Sequence, residues 1–424
     1  MNRIILIGNG FDLAHGLSTR YEDFVTWYWV QWWDKLRMCY TDTISDELCT
    51  FTLKNQSTWH CVLWSSAYWM NLPSGEEFIK WIHNNPEYFK VTQSQLFSNI
   101  TKALKEKKWV DIENEYYRAL NGEYIDCPEK LNKEFDCLRL KLIEYLTFVQ
   151  KYNENKELFI NGLNNIILEP INESDIAISS QAQFIKFVKS NYGEYIEPSG
   201  AIFSISEELG LKRKDYHKKA MRDFSQTYGQ QIEYLDFESL AGQNIFPELL
   251  RYPDRLLILN FNYTNTADKY LPKEFDNEFL CRINHIHGIL NEPDSVIFGY
   301  GDEYDEKYKE IVKLNNNEHL KNMKSIKYLE ANNYRSMLSF IESAPYQIYI
   351  MGHSCGNSDR TLLNTLFEHK NCVSIKPFYF QKNDGSDTYM DIVQNISRNF
   401  TDMKLMRDRV VNKTLCKPLP QYIK

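Results

Sequence analysis

Four short stretches of this chain run from apolar residues into groups that can donate, accept or move protons. Ile4 to Ile7 gives way to Gly8, Asn9, Gly10, Phe11 and Asp12, and a second run ends in Asn260, Asn262 and Thr264. A third ends in His285, His287 and Gly288, and a fourth in Gly352, His353 and Ser354. An imidazole can serve as a general base near neutral pH, an amide can hold a hydroxyl or water, and glycine lets backbone N–H groups approach an anion. Taken singly, each stretch has a plain structural reading as a turn, a helix cap or a hydrogen-bonded core histidine. Taken together they resemble the strand ends of an open parallel sheet, where ligands bind in the crevice beyond the carboxyl termini.

A dinucleotide suits such a crevice, but the hydride-transfer fingerprint fails. After Gly8 and Gly10 the third glycine position is Leu13, and the segment where a ribose-binding acid should follow is rich in tryptophan. His285 and His287 also read as one half of an H-x-H metal site, yet the sequence offers no matching partner motif, so no metal is expected. Asp359 reads as an N-terminal acid of the helix that follows it.

These residues need a scaffold, and the sequence changes grammar along its length. Apolar runs at 256–261, 282–287, 295–298, 347–351 and 373–380 predict strands, with helices at 305–315, 327–342, 358–369 and 387–398. The strand at 3–7 has no sheet nearby, so it is expected to join the later strands. Asn315-Asn316-Asn317 reads as a turn or helix boundary. From about 20 to 225 the pattern is helical, clearest where Leu131, Phe135, Leu138, Leu142, Tyr145, Val149 and Tyr152 form one stripe, with Pro128 near its start. All nine tryptophans fall between Trp27 and Trp109, and those at 27, 29, 32 and 33 read as core of a helical bundle more than as a ligand groove. The expectation is an α/β fold with a Rossmann-type parallel sheet, discontinuous in sequence (1–20 and 230–424), carrying a large all-helical insertion (21–229).

Bulk properties narrow the function. The chain has 424 residues, enough for two or three domains, with 43% apolar and 25% charged residues. A net charge of −8 disfavours general nucleic-acid binding, and the basic cluster Lys212, Arg213, Lys214, Lys218 and Lys219 reads as a solvated helix face. Nine scattered cysteines without a C-x-x-C fit reduced thiols and no structural zinc. Neither a signal-peptide core nor a membrane span is evident, so a cytoplasmic protein is expected.

The motifs Gly8-Asn9-Gly10-Phe11-Asp12-Leu13, Gly16-Leu17-Ser18-Thr19, Tyr21-x-x-Phe24, Asn262-Tyr263-Thr264-Asn265-Thr266, His287-Gly288, and Gly352-His353-Ser354 with Asp359 resemble the AbiH family of bacterial phage abortive-infection proteins. The same landmarks are similar, more distantly, to sirtuin-like domains. That second resemblance implies a sirtuin-type Rossmann fold and cleavage of NAD as substrate. It implies that Gly8, Asn9, Gly10, Phe11, Thr264, Gly352, His353 and Ser354 contact the dinucleotide, with His287 as catalytic base, Asn262 holding water or ribose, and Asp12 supplying negative field. Thr264 stands where sirtuins have aspartate and Asp12 where their loop has serine, an exchange that reads as compensatory. An Asp12 that shares the site with NAD is expected to face ribose or cap the next helix. Two other readings stand beside NAD hydrolysis: a non-catalytic sensor of NAD or an ADP-ribose derivative, and a metal-dependent hydrolase using His285 and His287. The expected partners are a dinucleotide, a phage-derived trigger and further copies of the chain, with no membrane.

Overall fold

The computed structural model describes residues 1–37, 43–54, 84, 86–87, 89–107, 111–122, 127–156, 158–195, 246, 248–271 and 281–422. Strand β1 (Asn2–Ile7) lies at the centre of a five-stranded parallel sheet with β5 (Leu256–Asn260), β6 (Cys281–His285), β7 (Tyr346–Met351) and β8 (Cys372–Phe378), in the order β6-β5-β1-β7-β8. Ile7 pairs with Asn260 on one side and with Met351 on the other, and Asn260 pairs with His285, so the strand ends lie level. The first strand therefore joins strands some 250 or more residues away, as its isolation in the sequence required.

The reason is burial. Ile4, Ile5, Leu6 and Ile7 are all fully buried, Ile4 and Leu6 in the cluster on one face of the sheet, Ile5 and Ile7 in the cluster on the other. A strand covered on both faces has no solvent side and shows an unbroken apolar run instead of alternation. Each such aliphatic side chain contributes about 1.5–3 kcal/mol on burial.

Several expected elements end differently. The strand at 282–287 stops at His285, because Gly288 takes φ +83° and its N–H turns back to the His285 carbonyl at 3.0 Å. Residues 295–298 form no strand: a 3-10 turn, Pro293–Ser295, precedes a stretch whose Ile297 N–H donates to the His287 carbonyl at 2.9 Å. The helix expected at 327–342 divides into Lys324–Lys327 and Asn333–Ser343. Asn315 does end a helix, Glu306–Lys313, with a positive φ of 51°.

The stretch between β1 and β5 is not all-helical. Strands β2 (Thr43–Ser45), β3 (Cys49–Leu53) and β4 (Phe89–Gln93) form an antiparallel sheet within it. They are short, and Thr43, Thr50, Thr52, Lys90 and Thr92 dilute any alternation that would announce them. The long helix Pro128–Tyr152 buries Leu131, Phe135, Leu138, Leu142, Tyr145 and Val149 as its stripe predicts, whereas Tyr152 is exposed. Trp29 and Trp32 are 1% exposed in the same core, and Trp27 packs against it. The side chain of Trp33, the tryptophans from Trp59 to Trp109 and the basic cluster at 212–219 lie outside the described residues. Residues 160–188 pack elsewhere: Ile160, Leu163 and Ile167 join the core under the sheet, and Ile171, Ile176, Phe184 and Val188 cluster with Met1 and Val373.

No helix among the described residues is long and apolar enough to cross a membrane. Seven described cysteines are free thiols, six of them wholly or partly buried.

Candidate functional site

The parallel sheet brings Gly8–Asp12, Asn262–Thr264, His287 and Gly352–Ser354 to one edge, since each follows the carboxyl end of β1, β5, β6 or β7. The glycines there serve backbone contact first. The N–H of Gly10 donates to the Gly352 carbonyl at 2.8 Å, that of Phe11 to the Gly8 carbonyl at 2.8 Å, and that of Gly8 to the Met351 carbonyl at 3.4 Å. A Cβ on Gly8 would lie 2.7 Å from His353 Cα, and one on Gly352, where φ is +75°, would lie 2.1 Å from the Phe11 nitrogen. The two loops touch so closely that only glycine fits.

Asn262 braces the same junction, its Nδ2 donating to the Gly8 carbonyl at 3.0 Å. Asn9 is exposed and accepts a hydrogen bond from the Thr19 hydroxyl. Phe11 turns its ring into the core beside His15 and Tyr270. Ser354 is exposed, and its carbonyl accepts from Asn395 Nδ2 at 2.8 Å.

Asp12 neither faces solvent nor caps the next helix. It lies in the first turn of Asn9–Ala14, 1% exposed, and its Oδ2 accepts the Thr264 hydroxyl at 2.7 Å. Among the described residues its Oδ1 has no hydrogen-bond partner. Burial pushes the carboxyl up to about 6, while Thr264, Thr266, Asn262 and Lys269 pull the other way. The two positions that read as a compensatory exchange are in fact one hydrogen-bonded pair.

His287 sits in a second cluster. Its Nε2 lies 3.3 Å from Asp359 Oδ1 and 3.1 Å from the Tyr328 hydroxyl, and the ring is flanked by Phe261, Tyr263 and Tyr328. Asp359 is the N-cap residue of Arg360–Phe367, but its side chain makes no capping hydrogen bond. Its carboxylate turns inward, to His287, to Lys324 Nζ at 2.8 Å, and towards His353 Nε2, 3.6 Å from Oδ2. The expected capping role is therefore replaced by a buried charge cluster. Lys324 also contacts Glu113 Oε2 at 2.8 Å, and Glu113 Oε1 accepts the Gly299 N–H at 3.1 Å.

Burial opposes ionisation of Asp359, but Lys324 and His287 overcome it and hold the carboxyl well below the usual range. Burial, with Lys324 adding to it, lowers the His287 basicity, so the ring is neutral at physiological pH. The ionised carboxylate on Nε2 favours the tautomer with hydrogen there, which leaves the Nδ1 lone pair as the proton acceptor. His353 is fixed in the same sense, since its Nδ1 accepts the Cys355 N–H at 3.0 Å. Cys355 itself takes a left-handed φ of 55° while fully buried, a strained conformation of the kind that collects at functional sites.

His285 does not share this cluster. Its Nε2 contacts Asp268 at 3.2 Å and its Nδ1 lies 3.2 Å from Asn260 Nδ2, so the two imidazoles of the H-x-H pair take separate carboxylates. Among the described residues no group of three or more His, Cys, Asp and Glu side chains is disposed to hold a metal.

Sequence reading missed Lys324, Glu113 and Tyr328. Lys324 stands among other lysines and carries no signal. Glu113 does carry one: it falls on the apolar face with Tyr117 and Leu120, where an acid needs a partner.

A parallel sheet assembled from distant strands, with a buried His–Asp pair beyond its strand ends, defines a Rossmann-like α/β protein. The family model described as "Bacteriophage abortive infection AbiH" matches residues 4–381, and the chain belongs to that family. Membership implies a role in phage abortive infection. No curated protein and no solved structure matches the chain.

Proposed function

We propose that the chain is an abortive-infection effector that hydrolyses the nicotinamide–ribose bond of NAD, with His287 as general base. The observation that carries the reading is the buried His287–Asp359 pair, 3.3 Å apart, at the sheet edge where an α/β fold binds nucleotides. In this reaction water attacks the ribose C1′, the bond from C1′ to the nicotinamide nitrogen breaks, and its electron pair neutralises the ring. The proton of the attacking water passes to His287 Nδ1. Asp359 stabilises the imidazolium that forms, as an orienting carboxylate does in other acid–base pairs. The negative cluster suits the oxocarbenium character that develops on the ribose.

The site residues implied by the sirtuin-like resemblance divide under this reading. His287 acts on substrate, whereas Asn262, Gly8, Gly10 and Gly352 hold the loop junction that shapes the crevice. His287 is only 4% exposed, so substrate entry needs the covering aromatic side chains to move. A phage-derived trigger or assembly of several copies would supply that opening. The same closure favours a second reading, a sensor that binds a dinucleotide without cleaving it.

Full-length protein incubated with a fluorescent NAD analogue, with and without phage lysate, separates the two. Under the first reading the analogue is cleaved, and His287→Ala lowers turnover by about 10²-fold or more. Full activity in a folded His287→Ala variant overturns the assignment of His287. Tight binding without cleavage in every condition favours the sensor.

A further inference from the structure

The inserted stretch between β1 and β5 reaches the candidate site through Glu113. Glu113 starts the helix Ile112–Leu120, and its carboxylate holds Lys324 from one side while Asp359 holds it from the other, both at 2.8 Å. Lys324 is 1% exposed and Glu113 7%, so neither is a solvated surface charge. The backbone fixes both ends of the clamp: the Lys324 N–H donates to the Tyr300 carbonyl at 2.9 Å, and the Gly299 N–H is received by Glu113.

A buried ion pair is a weak source of stability, because desolvation of the two charges offsets most of their attraction. Its presence here has a different use. Asp359 must meet His287 with one oxygen while lying near His353 with the other, and a free carboxylate at a helix N-terminus would turn to cap that helix. Lys324 pulls it inward. We propose that Lys324 and Glu113 are positioning residues for the His287–Asp359 pair: Lys324 holds Asp359 against His287, and Glu113 of the inserted segment holds Lys324. The inference rests on the assignment of His287 as the base.

The charged and titratable groups around His287 are Asp359, Lys324 and Glu113, with Tyr328 and Tyr263 beside the ring, His353 sharing the Asp359 carboxylate, Asp111 acting on Lys324 and Asp359, and Tyr21 acting on Glu113 and Asp359. If Lys324 holds Asp359 inward, its removal frees the carboxylate to turn to its own helix, and His287 loses the acceptor on Nε2 that fixes its tautomer. Removing the glutamate releases Lys324 on one side and loosens the same contact through it. A lysine that supplies only charge or packing leaves the tautomer in place.

The test is NMR of full-length protein labelled with nitrogen-15 in its imidazoles, at a pH where His287 is neutral, with its signals assigned by their loss in His287→Ala; the ring-nitrogen shifts report which nitrogen carries the hydrogen. In Lys324→Met the single Nε2–H tautomer is expected to give way to a mixture of both. In Lys324→Arg the wild-type tautomer is kept, and in Glu113→Gln it is partly lost. A wild-type tautomer in folded Lys324→Met overturns the role of Lys324, and a wild-type tautomer in Glu113→Gln overturns that of Glu113. Where Lys324→Met does not fold, Lys324→Arg and Glu113→Gln decide: the wild-type tautomer in the first with a mixture in the second supports the proposal, and any other pair overturns it. The measurement uses no NAD. A chain that cleaves no dinucleotide thus leaves this test standing, and unchanged tautomers leave the NAD reading standing.

Discussion

Asp12 carries an ionisable group into a buried place where one oxygen accepts Thr264 Oγ1 at 2.7 Å and the other finds no donor among the described residues. Its carboxyl therefore titrates near 6 in the folded chain against 3.8 as the ordinary value. The sign of the linkage follows: between these values the folded state keeps a proton that the unfolded state has lost, so stability falls as pH rises from about 4 to about 6. The gap corresponds to about 3 kcal/mol at most. Asp12→Asn can still accept from Thr264 and cannot ionise. Chemical denaturation at several pH values is expected to show the variant gaining on wild type by up to that amount between about pH 4 and pH 7, and a constant difference would refute the burial argument. Legibility at this scale follows the hydrogen-bond partner. His287 is readable because it stands at a strand end with glycine behind it. Asp359 reads as a cap, since the lysine that redirects it lies 35 residues away and nothing in the sequence marks that lysine as buried.

The strands of the parallel sheet are legible because strands buried on both faces must be continuous apolar runs, and 3–7, 256–261, 347–351 and 373–380 are such runs. The small antiparallel sheet is not, because three to five residues with threonine and lysine on their faces give no period to read. Glycine motifs are legible as positions and misleading as chemistry: a phosphate cradle and a tight contact between two loops both ask for absent side chains. Here Gly8 and Gly10 meet Gly352 directly. That contact separates two glycines with similar φ. Gly385, φ +84°, has no heavy atom of the described residues within 4 Å of the position a Cβ would take, so Gly385→Ala meets the left-handed strain, about 1–2 kcal/mol, and no collision with them. Gly352→Ala adds a collision with the Phe11 nitrogen at 2.1 Å and is expected to cost at least about twice as much. Urea midpoints for the two variants measure the difference, and equal losses would mean that the loops can part freely.

At the scale of the whole molecule, the stretch from 21 to 229 is tied to the sheet at places far from the site as well as within it. The helix and turns at 160–188 share the sheet's own cores, and Asp175 reaches Lys376 on β8 at 2.8 Å, both side chains at most 5% exposed. The pair joins residues 201 apart in sequence. Its attraction does not fully offset its burial, since the Asp175 carboxyl remains raised, burial being the larger cause, even with Lys376 in contact. One Asp175 oxygen also lacks a hydrogen-bond partner among the described residues. Such a pair specifies where the segment docks more than how strongly. Removing one member strands the other charge, so Asp175→Ala is expected to cost about 3–5 kcal/mol. Replacing both members, as in Asp175→Leu with Lys376→Met, leaves no buried charge and is expected to restore stability to within about 1 kcal/mol of wild type or above it. Urea denaturation of Asp175→Leu, Lys376→Met and the double completes the cycle. A double variant as unstable as Asp175→Ala would show instead that the ion pair itself holds the segment to the sheet, and would make electrostatic attraction the main force joining the two parts of the chain.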